Sequence, residues 1–257
     1  MKPKISVIIV AYNNFETTTG RCLKSLLDSQ QDEPLELVVI DNASQDSSPK
    51  ELKKLASIHP SITLSCNESN RGFAGGNNDG VALATGETII LLNSDTIVPP
   101  GSITKLARIL NNNPDCSLLS PVTNQAGNEQ KIFTSGSSST EILQEGAEWC
   151  SHSLSYCFLS ERLDFFCVAM AKKTYVELGG LDEEYGLGYF EDTDFSIKAM
   201  QRGYQQMITE DVFIYHQAGQ SFSKFKRNYV KRLMRQNRAK LESKYPGKVT
   251  LYHLRDN

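Results

Sequence analysis

The chain has 257 residues, 39% hydrophobic and 22% charged, with a formal net charge of -3, the balance of a globular protein with one large domain or two small ones. No apolar run reaches the roughly 18 residues that a membrane-spanning helix needs. The six cysteines, Cys22, Cys66, Cys116, Cys150, Cys157 and Cys167, lack CxxC and CxxH spacing, which speaks against a zinc site and, at this length, against a disulfide framework; they are expected to be reduced, mostly core residues of a cytosolic protein.

The opening "MKPKISVIIVAYNN" has the basic start and apolar run of a signal peptide, but Ile5 to Ala11 is short and passes into Asn without a small-residue cleavage pattern, so it reads as a buried strand. A helix from about Thr17 to Leu27 would place Cys22, Leu23, Leu26 and Leu27 on one face. "LELVVIDN" is the next strand, followed by a helix over about Pro49 to Ser57 with Ser47 or Ser48 as its cap. "SITLSCN" and "TIILLNSD" are further β-branched runs ending in polar residues. Between them, "NRGFAGGNNDG" (70–80) has four glycines and reads as a flexible loop or as a place where backbone approaches a ligand. Its spacing is neither G-x-G-x-x-G after a first strand nor a Walker loop, so dinucleotide and P-loop readings are rejected.

"PPGSITKLARILNNNP" predicts a helix entered through proline, and residues 123–155, rich in Ser, Gly and Gln, read as a mobile loop, either a surface excursion or a substrate lid. "GYFEDTDFSIKAMQRGY" crowds Glu191, Asp192 and Asp194 into four positions. Like charges this close suggest catalysis or binding, but acids also favour the first turn of any helix. "VFIY" is another apolar run, and His216 follows it either as a structural residue or as a ligand. From Lys224 to Lys248, ten basic residues oppose the single acid Glu242, so this segment carries about +9 and the remainder about -12.

The alternation of strands and helices predicts an α/β fold with a mostly parallel central sheet, in which ligands bind beyond the C-terminal strand ends. Those ends are Tyr12 and Asn13, Asp41 and Asn42, Asn67 to Asn70, and Asn93 to Asp95, all polar. In "NSD", Asn93 and Asp95 flank Ser94 and point to the same side of an extended chain. An amide oxygen beside a carboxylate suits Mg²⁺ or Mn²⁺; the tripeptide is equally compatible with a turn.

In order, "SVIIVAYN", "VVIDNASQD", "NRGFAGGNNDG", "ILLNSDT", "GGLDEEYGLGYFEDTDFSIKAMQRGY" and "HQAGQSF" resemble the family 2 glycosyltransferases, in particular the rhamnosyltransferase-like branch. The resemblance spans residues 5 to about 221 and implies a GT-A fold, a Rossmann-like nucleotide-binding half (about 1–110) continuous with an acceptor-binding half (about 111–221), followed by a basic helical tail (222–257). It implies that Ala11, Tyr12 and Asn13 border the nucleobase and ribose, that Asp41 contacts the base, and that Asn78 lies near the nucleotide. Asn93, Ser94 and Asp95 resemble the D-x-D motif, with Asn93 in place of its first aspartate, so Asp95 is the firm metal carboxylate. His216 matches a histidine that can complete a Mg²⁺ or Mn²⁺ site. Asp192 matches the general base of an inverting displacement in a Glu-Asp dyad; Glu191 and Asp194 orient the helix or bond the acceptor.

The implied activity is inverting, metal-dependent transfer of a sugar from a UDP- or dTDP-sugar, dTDP-rhamnose among them, to a hydroxyl of a cell-surface glycan or glycolipid. A GT-A module that only binds a nucleotide-sugar or a partner is the rival reading; a nucleotidyltransferase would need more basic charge after the first strand than "AYNNFETTTGR" provides. The tail places Phe222, Phe225, Tyr229 and Leu233 at helical spacing among Lys226, Arg227, Lys231, Arg232 and Arg235. Packing on the domain and peripheral contact with an anionic membrane at its cytoplasmic face both remain open, whereas nucleic acid is disfavoured because the rest of the chain is acidic.

Overall fold

The computed structural model describes residues 5–28, 33–152, 156–218 and 227–247. Its first part is built by alternation. β1 (Ile5–Ala11) leads to α1 (Thr19–Asp28), β2 (Leu35–Asp41) to α2 (Ser48–Ile58), and β3 (Ile62–Cys66) to α3 (Gly72–Leu83), before β4 (Thr88–Asn93) re-enters the sheet. β1 pairs in parallel with β2 and β4, and β2 with β3, because each helix carries the chain back to the same end of the sheet. Successive strand side chains point to opposite faces. Val7 and Ile9 therefore join a core layer with Leu23 and Leu26 of α1 and Leu52 of α2, while Ile8 joins the opposite layer with Ala74 and Val81 of α3.

α3 corrects the expectation of a flexible glycine loop. Its glycines serve close packing of a helix on the sheet: a Cβ at Gly76 would fall 2.6 Å from Val10 Cγ1, and one at Gly80 would fall 2.4 Å from Ile8 Cγ2. Only Gly72, at φ +68, uses the left-handed freedom of glycine.

β5 (Thr96–Ile97), α4 (Ser102–Asn112) and β6 (Leu118–Val122) follow. The polar stretch expected as a loop then contains α5 (Ser139–Ser151), opened by a capping box in which Ser138 and Glu141 satisfy each other's backbone N–H groups. Gly146 lets α5 lie against Phe213, where a Cβ would come within 2.2 Å of the ring. β7 (Cys157–Leu159), β8 (Cys167–Ala171), α6 (Lys172–Glu177), α7 (Glu191–Gln201), β9 (Gln206–Phe213), β10 (Tyr215–His216) and α8 (Arg227–Lys244) complete the strands and α-helices of the described residues.

The eight-stranded sheet runs β3-β2-β1-β4-β8-β6-β9-β7. It is mostly parallel; antiparallel β8 joins β4 to β6, β6 pairs in parallel with β9, and β7 pairs antiparallel with β9. All six cysteines are free thiols; Cys22, Cys116 and Cys167 are buried, whereas Cys66 is exposed. Of the expected tail stripe, Phe222 and Phe225 lie outside the described residues, as does the boundary at 221, while Tyr229 and Leu233 are half-buried. The buried contacts of this segment come further on, where Leu241 and Tyr245 pack with Tyr185 and Ile197.

Candidate active site

A cavity of about 450 Å³ opens at the C-terminal ends of β1 and β4, where the strand order departs from sequence order and connections diverge. Val10 and Tyr12 line it from β1, and Leu92, Asn93, Ser94 and Asp95 from the end of β4. Glu191, Asp192 and Thr193 enter from the head of α7, and His216 from β10. Residues distant in sequence thus share one space.

The pairing of β5 with β10 brings Asp95 and His216 together: Thr96 is opposite His216, and the Gln217 N–H donates to the Asp95 carbonyl at 2.9 Å. Asn124 brackets the His216 backbone, accepting from its N–H at 2.9 Å and donating to its carbonyl at 3.0 Å. Phe166 stacks on the imidazole at 5.3 Å. Nδ1 lies 3.0 Å from the Gln125 carbonyl oxygen, which requires a proton on that nitrogen, and Nε2 lies 3.3 Å from Asp95 Oδ1 and 3.4 Å from Asn93 Nδ2. Burial pushes the imidazole pKa down, but the adjacent Asp95 outweighs it and the net direction is up.

Thr193 donates to Asp192 Oδ1 through its backbone N–H at 2.6 Å and its hydroxyl at 3.3 Å. Burial raises the Asp192 pKa, the nearby Asp164 carboxylate raises it further, and Arg162 works against both. Burial, then Asp192, also raises Glu191, whose Oε2 has no hydrogen-bond partner among the described residues. Asp194 is separate from the cavity. It is fully buried and bound by Tyr185, Lys198 and Lys244, with Lys244 Nζ at 2.6 Å.

The remaining sequence candidates sit elsewhere. Ala11, Asn13 and Asp41 are buried and are not among the cavity-lining residues. Asn13 ties the ends of β1 and β2: its N–H donates to Ser44 Oγ at 2.8 Å and its Oδ1 accepts from the Gln45 N–H at 2.7 Å. Asp41 Oδ2 accepts from the Ser44 N–H at 3.4 Å, and its Oδ1 has no partner among the described residues. Asn78 differs most from the expectation. Its Nδ2 donates to the Leu181 carbonyl and Glu183 Oε1, and its Oδ1 accepts from Tyr175 and the Leu181 N–H. Both ends of the amide are thereby used in holding α3 to the segment after α6, outside the cavity lining.

Sequence reasoning missed Arg162, Asp164 and Phe166, which line the cavity from the stretch before β8. Arg162 pairs with Asp164 at 3.3 Å, and both hold the Gly127 backbone, through a 3.0 Å bond to its carbonyl and a 2.6 Å bond from its N–H. The available signal was "ERLDFF", charges alternating with apolar residues just ahead of an apolar strand.

Two solved structures share this architecture. GalNAc-T7, solved with UDP, GalNAc and Mn²⁺, superposes with a TM-score of 0.74 at 15% identity over 97% of this chain and 49% of its own. The mannosyltransferase PcManGT of Pyrobaculum calidifontis, solved with GDP-Man and Mn²⁺, gives 0.64 at 22% identity over 95% of this chain and 65% of its own. The fold is that of the GT-A glycosyltransferases. In sequence, an uncharacterised glycosyltransferase of Nostoc sp. is 29% identical over 155 residues, 57% of this chain and 48% of the relative. The chain spans about half the length of that relative and of GalNAc-T7. The model of glycosyl transferase family 2 matches residues 6–165, and the chain belongs to that family.

Proposed function

We propose that the chain is an inverting glycosyltransferase that moves a sugar from a UDP- or dTDP-sugar, dTDP-rhamnose among the candidates, to a hydroxyl of a cell-surface glycan or lipid-linked acceptor. The carrying observation is that Asp192 lines the same cavity as the Asp95 and His216 pair. In the reaction the acceptor oxygen bonds to the anomeric carbon as the bond to the diphosphate oxygen breaks. The acceptor proton passes to Asp192, and the nucleoside diphosphate departs. A single displacement of this kind inverts the anomeric centre.

Asp95 and His216 fit a divalent cation. With the Nδ1 proton committed to the Gln125 carbonyl, Nε2 presents a lone pair beside the Asp95 carboxylate, a donor set suited to Mn²⁺ or Mg²⁺. When bound, the ion would supply charge stabilisation to the departing diphosphate. The Mn²⁺ in both neighbouring structures, with UDP in one and GDP-Man in the other, supports this ligand class. Tyr12, Asn93 and Ser94 would border the nucleotide, with Ala11, Asn13 and Asp41 shaping the strand ends behind them.

In the division we propose, residues up to about 110 hold the donor, about 111–221 the acceptor, and 222–257 form the basic tail. Among the described residues no helix is long and apolar enough to cross a membrane, and α8 is proposed to meet a lipid-linked acceptor at the cytoplasmic face of an anionic membrane. The test is a thermal-shift panel of nucleotide-sugars with Mn²⁺, followed by product analysis. A donor at 100 times its Kd stabilises by about 2.7 kcal/mol. Stabilisation without transfer to any hydroxyl acceptor would leave only a binding module, and no stabilisation by any member would overturn the reading.

A further inference from the structure

The dyad at the head of α7 is reached through a backbone segment that its own residues do not favour. Tyr189 and Phe190, immediately before Glu191, have φ of 73° and 78°. Aromatic residues in the left-handed region are strained, and two in succession persist only where their surroundings impose them. Phe190 occupies the N-cap position of α7, where its carbonyl accepts from the Asp194 N–H at 2.9 Å but its side chain makes no capping hydrogen bond.

α8 contributes what the helix start lacks. Asn237, buried at 4% exposure, donates from Nδ2 to the carbonyl oxygens of Tyr185 at 2.8 Å, Gly188 at 2.8 Å and Tyr189 at 3.1 Å. All three partners are acceptors, which fixes the amide orientation. These contacts reach the residue before the turn and two residues within it. Flanking residues of α8 anchor the helix to the same region: Lys240 donates to the Glu184 carbonyl, and Lys244 binds Asp182 at 2.9 Å and Asp194 at 2.6 Å. Met234, one turn earlier, reaches the cavity wall itself.

We infer that Asn237 is a positioning residue for transfer: its amide holds the turn at 186–190 in the one conformation that presents the Asp192 carboxylate to the cavity. α8, like α7 and β10, lies beyond residues 6–165 matched by the family model. The inference rests on the reading of Asp192 as the base.

The experiment uses the full chain with Asn237→Leu and Asn237→Ala. Asn237→Leu keeps nearly the same branched shape but has no donor, so a space-filling role predicts wild-type behaviour from it and a donor role does not. Hydrogen exchange is followed in peptides covering 186–195, UDP and dTDP binding with Mn²⁺ by calorimetry, and turnover with the donor identified by the thermal-shift panel. In both variants the expected result is faster exchange confined to 186–195, nucleotide affinity near wild type, and kcat lower by on the order of 10²-fold, the usual consequence of misplacing a reacting group by about 1 Å. Wild-type exchange in Asn237→Leu overturns the inference, as does accelerated exchange with unchanged kcat. If the wild-type chain transfers no sugar from any donor, the reading of Asp192 fails and the role in transfer falls with it, while the exchange data still decide whether the amide orders the turn.

Discussion

His216 Nε2 stands 3.3 Å from Asp95 Oδ1, although 121 residues separate them, because the two-residue strands β5 and β10 pair and set Thr96 opposite His216. The imidazole is held on three sides, by the Gln125 carbonyl, the Phe166 ring and the backbone bonds to Asn124. As the proposed cation ligands, a pair this constrained would lose little freedom on binding.

Asp95→Ala should therefore remove Mn²⁺-dependent binding of UDP or dTDP while leaving the fold intact, since Asp95 is at the surface of the cavity and is not a core packing residue. Calorimetry with and without Mn²⁺, alongside circular dichroism, checks this. A mutant that binds either nucleotide with undiminished dependence on Mn²⁺ would show the metal assignment to be wrong.

Asp192 and Glu191 are adjacent in sequence but differ in what holds them. Asp192 has one oxygen fixed by Thr193, whereas Glu191 has a buried oxygen without a partner among the described residues. Asp192→Asn should lower turnover by about 10²–10⁴-fold, the range of general-base catalysis, with donor affinity nearly unchanged. Glu191→Gln should cost less; an equal loss from both would end the specific assignment of Asp192.

These two residues also show how far the sequence carries. The parallel half of the sheet was legible because buried strands of β-branched residues, each followed by a helix, have few other solutions. α3 was not, because its glycines look like loop residues until Ile8 and Val10 are seen beneath Gly80 and Gly76. α5 was hidden by its Ser- and Gly-rich surroundings, although "SSTE" carried the capping box. The local motifs pointed to Asp95, Asp192 and His216, which line the cavity together, but Arg162 and Asp164 enter it through long-range pairing that no local spacing encodes. Asp194, two residues on along α7 and so turned away from Asp192, is held by lysines, one of them on α8.

Burial of Glu191 predicts a pH signature in stability. Its folded pKa is raised above the ordinary 4.5 by burial and by Asp192. Above that ordinary value the unfolded chain has released the proton that the fold still binds, so stability falls as pH rises from about 4.5 through the raised folded value. Glu191→Gln removes this loss. The difference in Tm, variant minus wild type, should thus grow more positive from pH 5 to pH 8, corresponding to on the order of 1 kcal/mol or more. Thermal denaturation at both pH values tests it, and a difference that is flat or shrinks with pH would exclude a raised Glu191.

The last prediction concerns the outer face of α8, whose inner face is fixed by Asn237 and Leu241, with Tyr245 just beyond its end. Arg227, Lys231, Arg232 and Arg235 are exposed, and Arg238 is paired with Glu242 at 2.9 Å. Near an anionic leaflet each cation contributes on the order of 1 kcal/mol, and the attraction fades within a Debye length of about 8 Å at physiological salt. Sedimentation with liposomes of increasing anionic lipid should show binding that weakens as salt is raised. Replacing Arg227, Lys231, Arg232 and Arg235 together with glutamine should abolish it without lowering Tm by more than a degree or two, because these side chains lie outside the buried contacts. Absence of binding at every anionic content would restrict α8 to its packing role, and binding that survives both salt and the quadruple replacement would locate the membrane contact elsewhere in the chain.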